Sequence, residues 1–414
     1  MAGCHGAPSD ATVVEFWAMG REGEVVQRLV PEFERRTPGV RVRVQQIPWS
    51  AAHEKLLTAY VGGALPDVVQ VGNTWLPELV ALGALAPLEE HLGSLDRDDE
   101  FPGVIAATAI DGVRYGVPWY VDTRVLFYRT DLLRAVGVVT PPTKWDGWVD
   151  AMARLARGGE RYAISLPATE WEPLVILALQ RGAGLLRDGD RYGDFRSPPF
   201  RAAFELYRDF FRRGLAPTGG AAQSANLYQD FADGYFAVLL SGPWNVGEIE
   251  RRLPKLADAW ATTPLPAFEG EAPGVSLAGG ASLALVRDSP RRAAAWQWMA
   301  FLAEPAQQLE FWRLTGDLPA RPSAWRDGGL GDAPRTAAFW RQLARVQATP
   351  KIPEWERIAA TITRHTEIAL RSEAPADDVL AALDRDVDAI LAKRRWMLER
   401  AAVRDAALPG ERAS

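Results

Sequence analysis

Short runs of alternating apolar and polar residues recur along the chain, each followed by apolar residues at helical spacing. VVEFWA (13–18) reads as a short strand. Residues 22–36 place Val25, Val26, Leu29, Val30 and Phe33 on one helical face, with an irregularity expected at Pro31, which lacks an N–H. Thr37-Pro38-Gly39 is a turn, and VRVRVQQI alternates as a second strand. A helix over 50–62 should close at Gly62-Gly63. DVVQV, after Pro66, is a short apolar run of buried-strand type, followed by a helix over 74–83 that stops at Gly83. Strand–helix alternation at this spacing predicts right-handed crossovers and a mainly parallel sheet flanked by helices, an α/β fold.

The pattern changes at YGVPWYVDTRVLFYR (115–129), where Trp119, Tyr120, Asp122 and Arg124 fall within six residues. Pro118 withholds a backbone donor and biases Val117 toward an extended conformation, which predicts an edge or crossover strand. Beyond it, Val125 and Phe127 alternate with Leu126 and Tyr128. Two readings fit this stretch. One is the wall of a polar ligand site, and the other is a half-buried edge strand with its charges in solvent.

The α/β grammar then resumes. Thr143 to Asp146 reads as a capping box before a helix over 144–157. YAISL is a strand, 172–182 and 198–213 are helices, and YFAVLLSG is a strand ending at Gly242-Pro243-Trp244-Asn245, where a further helix begins. WATTPLP is extended, Gly270 to Gly274 is a loop, and SLAGGASLALV is a strand interrupted by two glycines. Ser289 is expected to cap a helix with Pro290 in its first turn and Trp296, Met299, Ala300 and Leu302 on its apolar face. Residues 335–403 read as helical, ending in an amphipathic charged segment expected to pack on the body rather than lie on a membrane.

Composition narrows the function classes. A chain of 414 residues exceeds what one core usually serves, so two domains are expected. Net charge is −6, which argues against nucleic acid as a partner. No apolar run approaches the roughly 20 residues that cross a bilayer. Sixteen tryptophans stand against five methionines. The flat indole with its single N–H suits stacking on sugar rings.

The single cysteine, Cys4, excludes an intramolecular disulfide. Met1-Ala2-Gly3-Cys4 followed by HGAPSDAT looks like the end of a bacterial lipoprotein signal, and Cys4 is therefore a candidate lipidation site. An exposed thiol in a terminal segment is the simpler alternative.

No catalytic constellation emerges. His5, His53, His91 and His365 lack metal-ligand spacing, and no phosphate loop, nucleophile elbow or dinucleotide fingerprint is present. Glu170 and Glu172 flank Trp171, but carboxylates at i and i+2 point apart on a strand or helix. Neither a catalytic residue, a cofactor nor a metal is expected. Candidate ligand residues instead recur where strands end: Trp17, then Asn73 and Trp75 after DVVQV, then Trp244 and Asn245 after VLLSG. In open α/β sheets ligands bind at the carboxyl ends of strands. A tryptophan face covers sugar C–H groups while an amide pairs with hydroxyls. Taken singly, each tryptophan is more often core than platform, and it is their recurrence at strand ends that points to a ligand; Gly279 and Gly280 read first as close packing, and Arg321 as a solvated loop charge.

Six segments in order, FERRTPGVRV, LPDVVQVGNTWLPELVALGALAPL, YGVPWYVDTRVLFYRTDLL, SGPWNVGEIE, LAGGASLALVRDSPRRAAAWQWMAFL and TGDLPARPSAW, resemble the extracellular solute-binding proteins of bacterial ABC transporters. The similar group includes maltose- and trehalose-binding proteins. The resemblance implies a two-lobed fold hinged around a cleft, each lobe a mainly parallel sheet with helices. It implies a tether over residues 1–10, an N-lobe of 11–120 plus 276–318, a C-lobe of 124–272 plus 322–400, and a tail over 401–414. Crossings would lie near Tyr120 to Arg124, Val275 to Gly280 and Leu318 to Arg321. Trp17, Asn73, Trp75, Asp122, Trp244, Asn245, Gly280 and Arg321 match sugar-contacting positions of such proteins, with Trp119, Tyr120, Trp171, Glu172 and Trp355 in regions that face the cleft in relatives. Arg124 would stand at the hinge and Gly279 beside Gly280.

The function so implied is capture of a mono-, di- or oligosaccharide by hinge closure and delivery to membrane permease subunits. A monomer, periplasmic or at the cell surface and anchored through lipidated Cys4, would do this without catalysis. A binding protein for another polar solute, such as a polyol or glycerophosphodiester, is the alternative, with a glycan-active enzyme as a more distant one.

Overall fold

A computed structural model describes residues 11–156, 160–218 and 226–406 of the chain, with side chains through 400. Its main strands are β1 (Thr12–Met19), β2 (Val40–Ile47), β3 (Val68–Gly72), β4 (Val117–Asp122), β5 (Val125–Arg129), β6 (Ile164–Ser165), β7 (Val238–Ser241), β8 (Trp260–Thr263), β9 (Gly279–Leu285) and β10 (Leu318–Pro319). The chain divides into two compact units. Among the described residues, the first holds 11–127 with Ser241–Leu265 and Ser276–Pro353; the second holds those of Tyr128–Leu240, Pro266–Val275 and 354–406.

The first unit is built on a six-stranded sheet in the order β10-β4-β9-β3-β1-β2. β1 runs parallel to β2 and β3, as the strand–helix alternation predicts. β9 is antiparallel to β3 and β4, and β10 is antiparallel to β4, so the sheet is mixed rather than mainly parallel. The local pattern could not show this, because β9 and β10 arrive from far along the chain. Alternation along the strands sorts side chains onto two faces. Val14, Phe16, Val68, Trp119 and Leu283 join one core with Trp298 and Phe311, while Met19, Val69, Val71 and Ala284 join another with Leu56 and Leu79.

β4 is not an edge strand, which removes one of the two placements expected from Pro118. β10 pairs only with Val121 and Tyr120, so Pro118 lies beyond its reach. On the other side Pro118 faces Ser282 where the β4–β9 register shifts. The missing N–H therefore falls at a ladder irregularity. The Pro118 carbonyl accepts from Gln308 Nε2 at 3.1 Å.

Several helix ends also differ from the sequence reading. Residues 22–36 form two helices, Gly20–Val25 and Val30–Arg36, joined by a tighter turn, and Pro31 opens the second rather than bending one. The helix Trp145–Leu155 has Lys144 at its N-cap and no side-chain cap, so the Thr143–Asp146 capping box does not form. The helix after β9 begins at Arg292, three residues past Ser289, whose Oγ accepts from the Arg291 N–H at 3.1 Å and donates to Asp67 Oδ1 at 2.6 Å. Residues 335–403 hold four helices, Ala337–Leu343, Trp355–Leu370, Ala376–Ile390 and Ala392–Ala406, with a two-residue strand Val346–Gln347 among them.

In the second unit β7 pairs in parallel with β6, Val238 opposite Ile164 and Leu239 opposite Ser165. The helix Glu172–Gln180 is buried along its whole apolar run from Leu174 to Leu179. It packs on the helix Pro198–Arg212, whose Phe200, Phe204, Tyr207 and Phe211 form the inward stripe. Within that stripe Arg208 is buried too, and its Nη2 donates to the Ala374 carbonyl at 3.0 Å.

Candidate functional site

Sheet topology gathers the chemistry of the first unit at one edge. β1, β2, β3 and β4 all run one way, and β9 and β10 run against them. The carboxyl ends of the first four and the amino ends of the last two therefore share an edge. The segments there carry Glu22 after β1, Trp49 after β2, Asn73 and Trp75 after β3, Asp122 at the end of β4, Gly279 and Gly280 opening β9, and Asp317 before β10.

A chain of hydrogen bonds fixes one part of this edge. The Met19 N–H donates to Gln70 Oε1 at 2.7 Å, and Gln70 Nε2 donates to the Tyr120 hydroxyl at 3.1 Å. Tyr120 donates onward to Glu22 Oε1 at 2.8 Å, and the Trp49 indole N–H adds a second donor at 3.2 Å. Burial raises the Glu22 carboxyl above its ordinary range despite these donors. Burial raises Asp317 well above the carboxylate range as well, reinforced by the nearby charges of Glu22 and Asp122. Burial pushes the Tyr120 phenol up for the same reason, so it stays a donor at neutral pH.

Aromatic rings border these carboxyls. Trp49 meets Trp75 edge-to-face with centroids 5.5 Å apart, and His53 lies 5.3 Å from Trp75 while bonding Glu78 at 2.7 Å. On the other side Asp122 pairs with Arg124 at 3.3 Å, and the Arg124 guanidinium sits 4.6 Å from the Trp244 ring centre. Gly242 packs so tightly that a Cβ there would collide with the Trp244 ring and Asp122. Ser276 Oγ accepts from the Arg124 N–H at 3.1 Å and donates to its carbonyl at 3.0 Å, fixing the backbone beside the pair.

The structure places the sequence-derived candidates unevenly. Trp75, Asp122, Arg124, Trp244, Gly279 and Gly280 lie at or beside this edge and are partly exposed. Asn73 is buried there, donating to the Gly279 carbonyl at 3.5 Å and accepting from Ser282 Oγ at 2.7 Å. Asn245 is buried with its amide on Ser241 Oγ at 2.7 Å. Trp17 lies within β1, two residues short of its end, and Lys55 covers its ring at 4.7 Å. Trp119 is fully buried, stacked on Phe311 with centroids 4.3 Å apart. Arg321 is no solvated loop charge: it is buried, donating to the carbonyls of Ala303 at 3.2 Å and Asp99 at 3.1 Å, with Glu100 at 3.5 Å. Gly279 and Gly280 serve close packing, since a Cβ on Gly279 would lie 2.7 Å from the Asp122 carbonyl oxygen and one on Gly280 would collide with that of Tyr120. Gly280 also holds φ +118°, which disfavours any side chain.

Trp171, Glu172 and Trp355 belong to the second unit, where Trp171 meets Trp355 edge-to-face at 5.3 Å. Trp355 is fully buried, and Trp171 and Glu172 are partly exposed at the start of their helix. Cys4 lies outside the described residues.

Three members of the edge escaped the sequence reading. Trp49 comes after a strand as Trp75 does, and the same rule would have found it. Glu22 reads locally as one more solvent-facing helix charge. Asp317 sits in TGDLPA, beside the arginine that drew attention instead.

Comparison with known proteins decides what kind of molecule carries such an edge. The family described as bacterial extracellular solute-binding protein matches residues 18–309. The chain belongs to that family. This solute-binding protein is 45% identical to the sugar-binding protein MalE of Xanthomonas citri, superposing with a TM-score of 0.88 over 94% of this chain and 99% of that one. Its fold is accordingly the two-lobed, mixed α/β solute-binding fold. It is 24% identical to the diacetylchitobiose binding protein DasA of Streptomyces coelicolor, over 84% of this chain and 82% of that protein. It is also 28% identical to an uncharacterized lipoprotein of Streptomyces antibioticus, over 87% and 84% respectively. These are binding proteins or lipoproteins by name, and none is named as an enzyme. No helix among the described residues of this solute-binding protein is long and apolar enough to cross a membrane.

Proposed function

We propose that this chain is the substrate-binding component of an ABC importer and captures a sugar or oligosaccharide. The observation that carries the reading is the sheet edge of the first unit, where the rings of Trp49, Trp75 and Trp244 border the carboxyls of Glu22 and Asp122. Indole faces cover the C–H surface of a pyranose while carboxylates accept from its hydroxyls. Likeness to MalE of X. citri and to the diacetylchitobiose binding protein supports a saccharide over another polar solute.

In this reading Trp75, Asp122, Arg124 and Trp244 contact ligand directly. Asn73, Tyr120, Asn245, Gly279 and Gly280 hold them in place. Trp171 and Glu172 add to Arg124 and Trp244 the contacts from a C-lobe of 124–272 plus 322–400, against an N-lobe of 11–120 plus 276–318. Ligand that binds both lobes favours a closed form by its differential affinity. The closed form then docks on membrane permease subunits as a monomer, tethered through lipidated Cys4. A lipoprotein relative favours that tether.

Calorimetry against a panel of mono-, di- and oligosaccharides tests the reading. Saturable heat with at least one sugar is expected, with no product released on prolonged incubation. Absence of heat with every sugar, alongside a response to a polyol or glycerophosphodiester, would overturn it.

A further inference from the structure

The helix Ala392–Ala406 in the second unit carries its side chains in an unusual order. Arg394 and Arg395 turn inward: Arg394 Nη1 lies 3.8 Å from Glu354 Oε2, and Arg395 Nη1 donates to the Arg191 carbonyl at 2.9 Å. The Arg395 guanidinium also sits 4.7 Å from the Tyr192 ring centre. The next two residues, Trp396 and Met397, face outward at 52% and 54% exposure. Lys393 and Arg400 are exposed with them, since positions 393, 396, 397 and 400 share one helical face. Arg400 lies 4.3 Å from the Trp396 ring centre. The same spacing continues in sequence to Val403 and Arg404. This helix is basic within a chain of net charge −6.

An apolar pair flanked by cations calls for an occupant both apolar and anionic. The stripe is one or two side chains wide, whereas a specific protein interface buries about 800 Å² on each partner. A bilayer surface needs no such area: a few aromatic side chains enter the headgroup boundary while Lys and Arg meet lipid phosphates. We propose that the Lys393–Trp396–Met397–Arg400 face docks on an anionic phospholipid bilayer. The contact is separate from sugar capture and from any acyl tether at Cys4, and it would orient the second unit against the membrane beside which an extracellular solute-binding protein works.

Vesicle co-sedimentation of the full chain tests this, with Cys4→Ser so that no acyl chain contributes. Vesicles of mixed phosphatidylglycerol and phosphatidylcholine should pellet the protein at low salt, and phosphatidylcholine alone should not. The double variants Trp396→Ala/Met397→Ala and Lys393→Glu/Arg400→Glu should each weaken partitioning about tenfold or more. Their thermal midpoints and sugar affinities should stay unchanged. Undiminished binding by both variants, or equal binding to neutral vesicles, overturns the proposal. So does a dimer in sedimentation that Trp396→Ala dissociates, since the occupant is then a second copy. Sugar affinity is read on the same protein, so failure here leaves the transport reading standing, and the reverse also holds.

Discussion

Tyr120 donates its phenolic hydrogen to Glu22 at 2.8 Å, joining the carboxyl-end half of β4 to the helix after β1. Gln70 donates to the same phenol, so the hydroxyl serves two partners. Tyr120→Phe leaves the Gln70 amide and the Glu22 carboxylate each short of a bond in a buried place. The expected loss is about 1–3 kcal/mol in chemical denaturation. Sugar affinity should fall as well, because Glu22 loses the donor that orients it. An unchanged midpoint would mean that the network does not hold in solution.

Stability should depend on pH through Glu22 and Asp317. Both carboxyls are raised, so the folded chain binds their protons more tightly than the unfolded chain does. Stability from this source is complete below the ordinary carboxyl values and is lost as pH rises through the raised ones. The thermal midpoint should therefore fall as pH climbs from about the ordinary carboxylate range, 4–4.5, toward neutrality. Asp131 and Asp386 are lowered by hydrogen bonds from Arg129 and His365, so their contribution is lost only at lower pH. Asp317→Asn should flatten the dependence and stabilise the protein at neutral pH. A steeper slope in that variant would show the opposite sign.

Trp119 and Trp75 should respond to truncation in opposite ways. Trp119 is fully buried against Phe16 and Phe311, so Trp119→Ala should cost about 3–5 kcal/mol of stability. Trp75 is partly exposed beside Trp49 and His53. Trp75→Ala should lower sugar affinity about fivefold, in line with roughly 1 kcal/mol for a ring contact beyond its area. Denaturation and calorimetry on both variants separate the roles.

Asp122→Ala should weaken sugar binding and leave the fold intact. The Asp122–Arg124 pair is partly exposed, and such pairs contribute about 0–1 kcal/mol. Arg124 keeps its place over Trp244 and its backbone ties to Ser276. A cooperative loss of structure on this change would make the carboxylate a fold determinant.

Arg321→Ala should act on stability alone. Its guanidinium satisfies the Ala303, Asp96 and Asp99 carbonyls and lies beside Glu100, which also pairs with Arg114 at 2.7 Å. Breaking one partner of a buried ion pair costs about 3–5 kcal/mol. Lysine offers no planar fork and should rescue little. Sugar affinity of the folded fraction, read by calorimetry, should be unchanged.

Local order was legible because it rests on short-range physics. Alternation in VRVRVQQI marks a strand because residues two apart share a face, and β2 spans those eight residues. Helices ended near Gly62 and Gly83 because glycine adopts the turn conformations that close them. The strand-end rule pointed to Trp75 and Trp244 because parallel strands deliver their succeeding loops to the carboxyl edge of their own sheet.

The tertiary structure decided whatever depends on partners distant in sequence. Trp119 and Tyr120 look alike in the chain and both rings pack on Phe311, yet only Tyr120 carries a hydroxyl that reaches Glu22. Arg321 turned from an expected surface charge into a buried clamp because the carbonyls of Asp96, Asp99 and Ala303 converge only in the fold. Pro118 marked an irregular ladder rather than an edge because β9 and β10, its neighbours in the sheet, come from far along the chain. Composition, periodicity and turns are properties of neighbours along the chain. Burial, pairing and raised carboxyls are properties of neighbours in space, and Glu22 and Asp317 became visible only there.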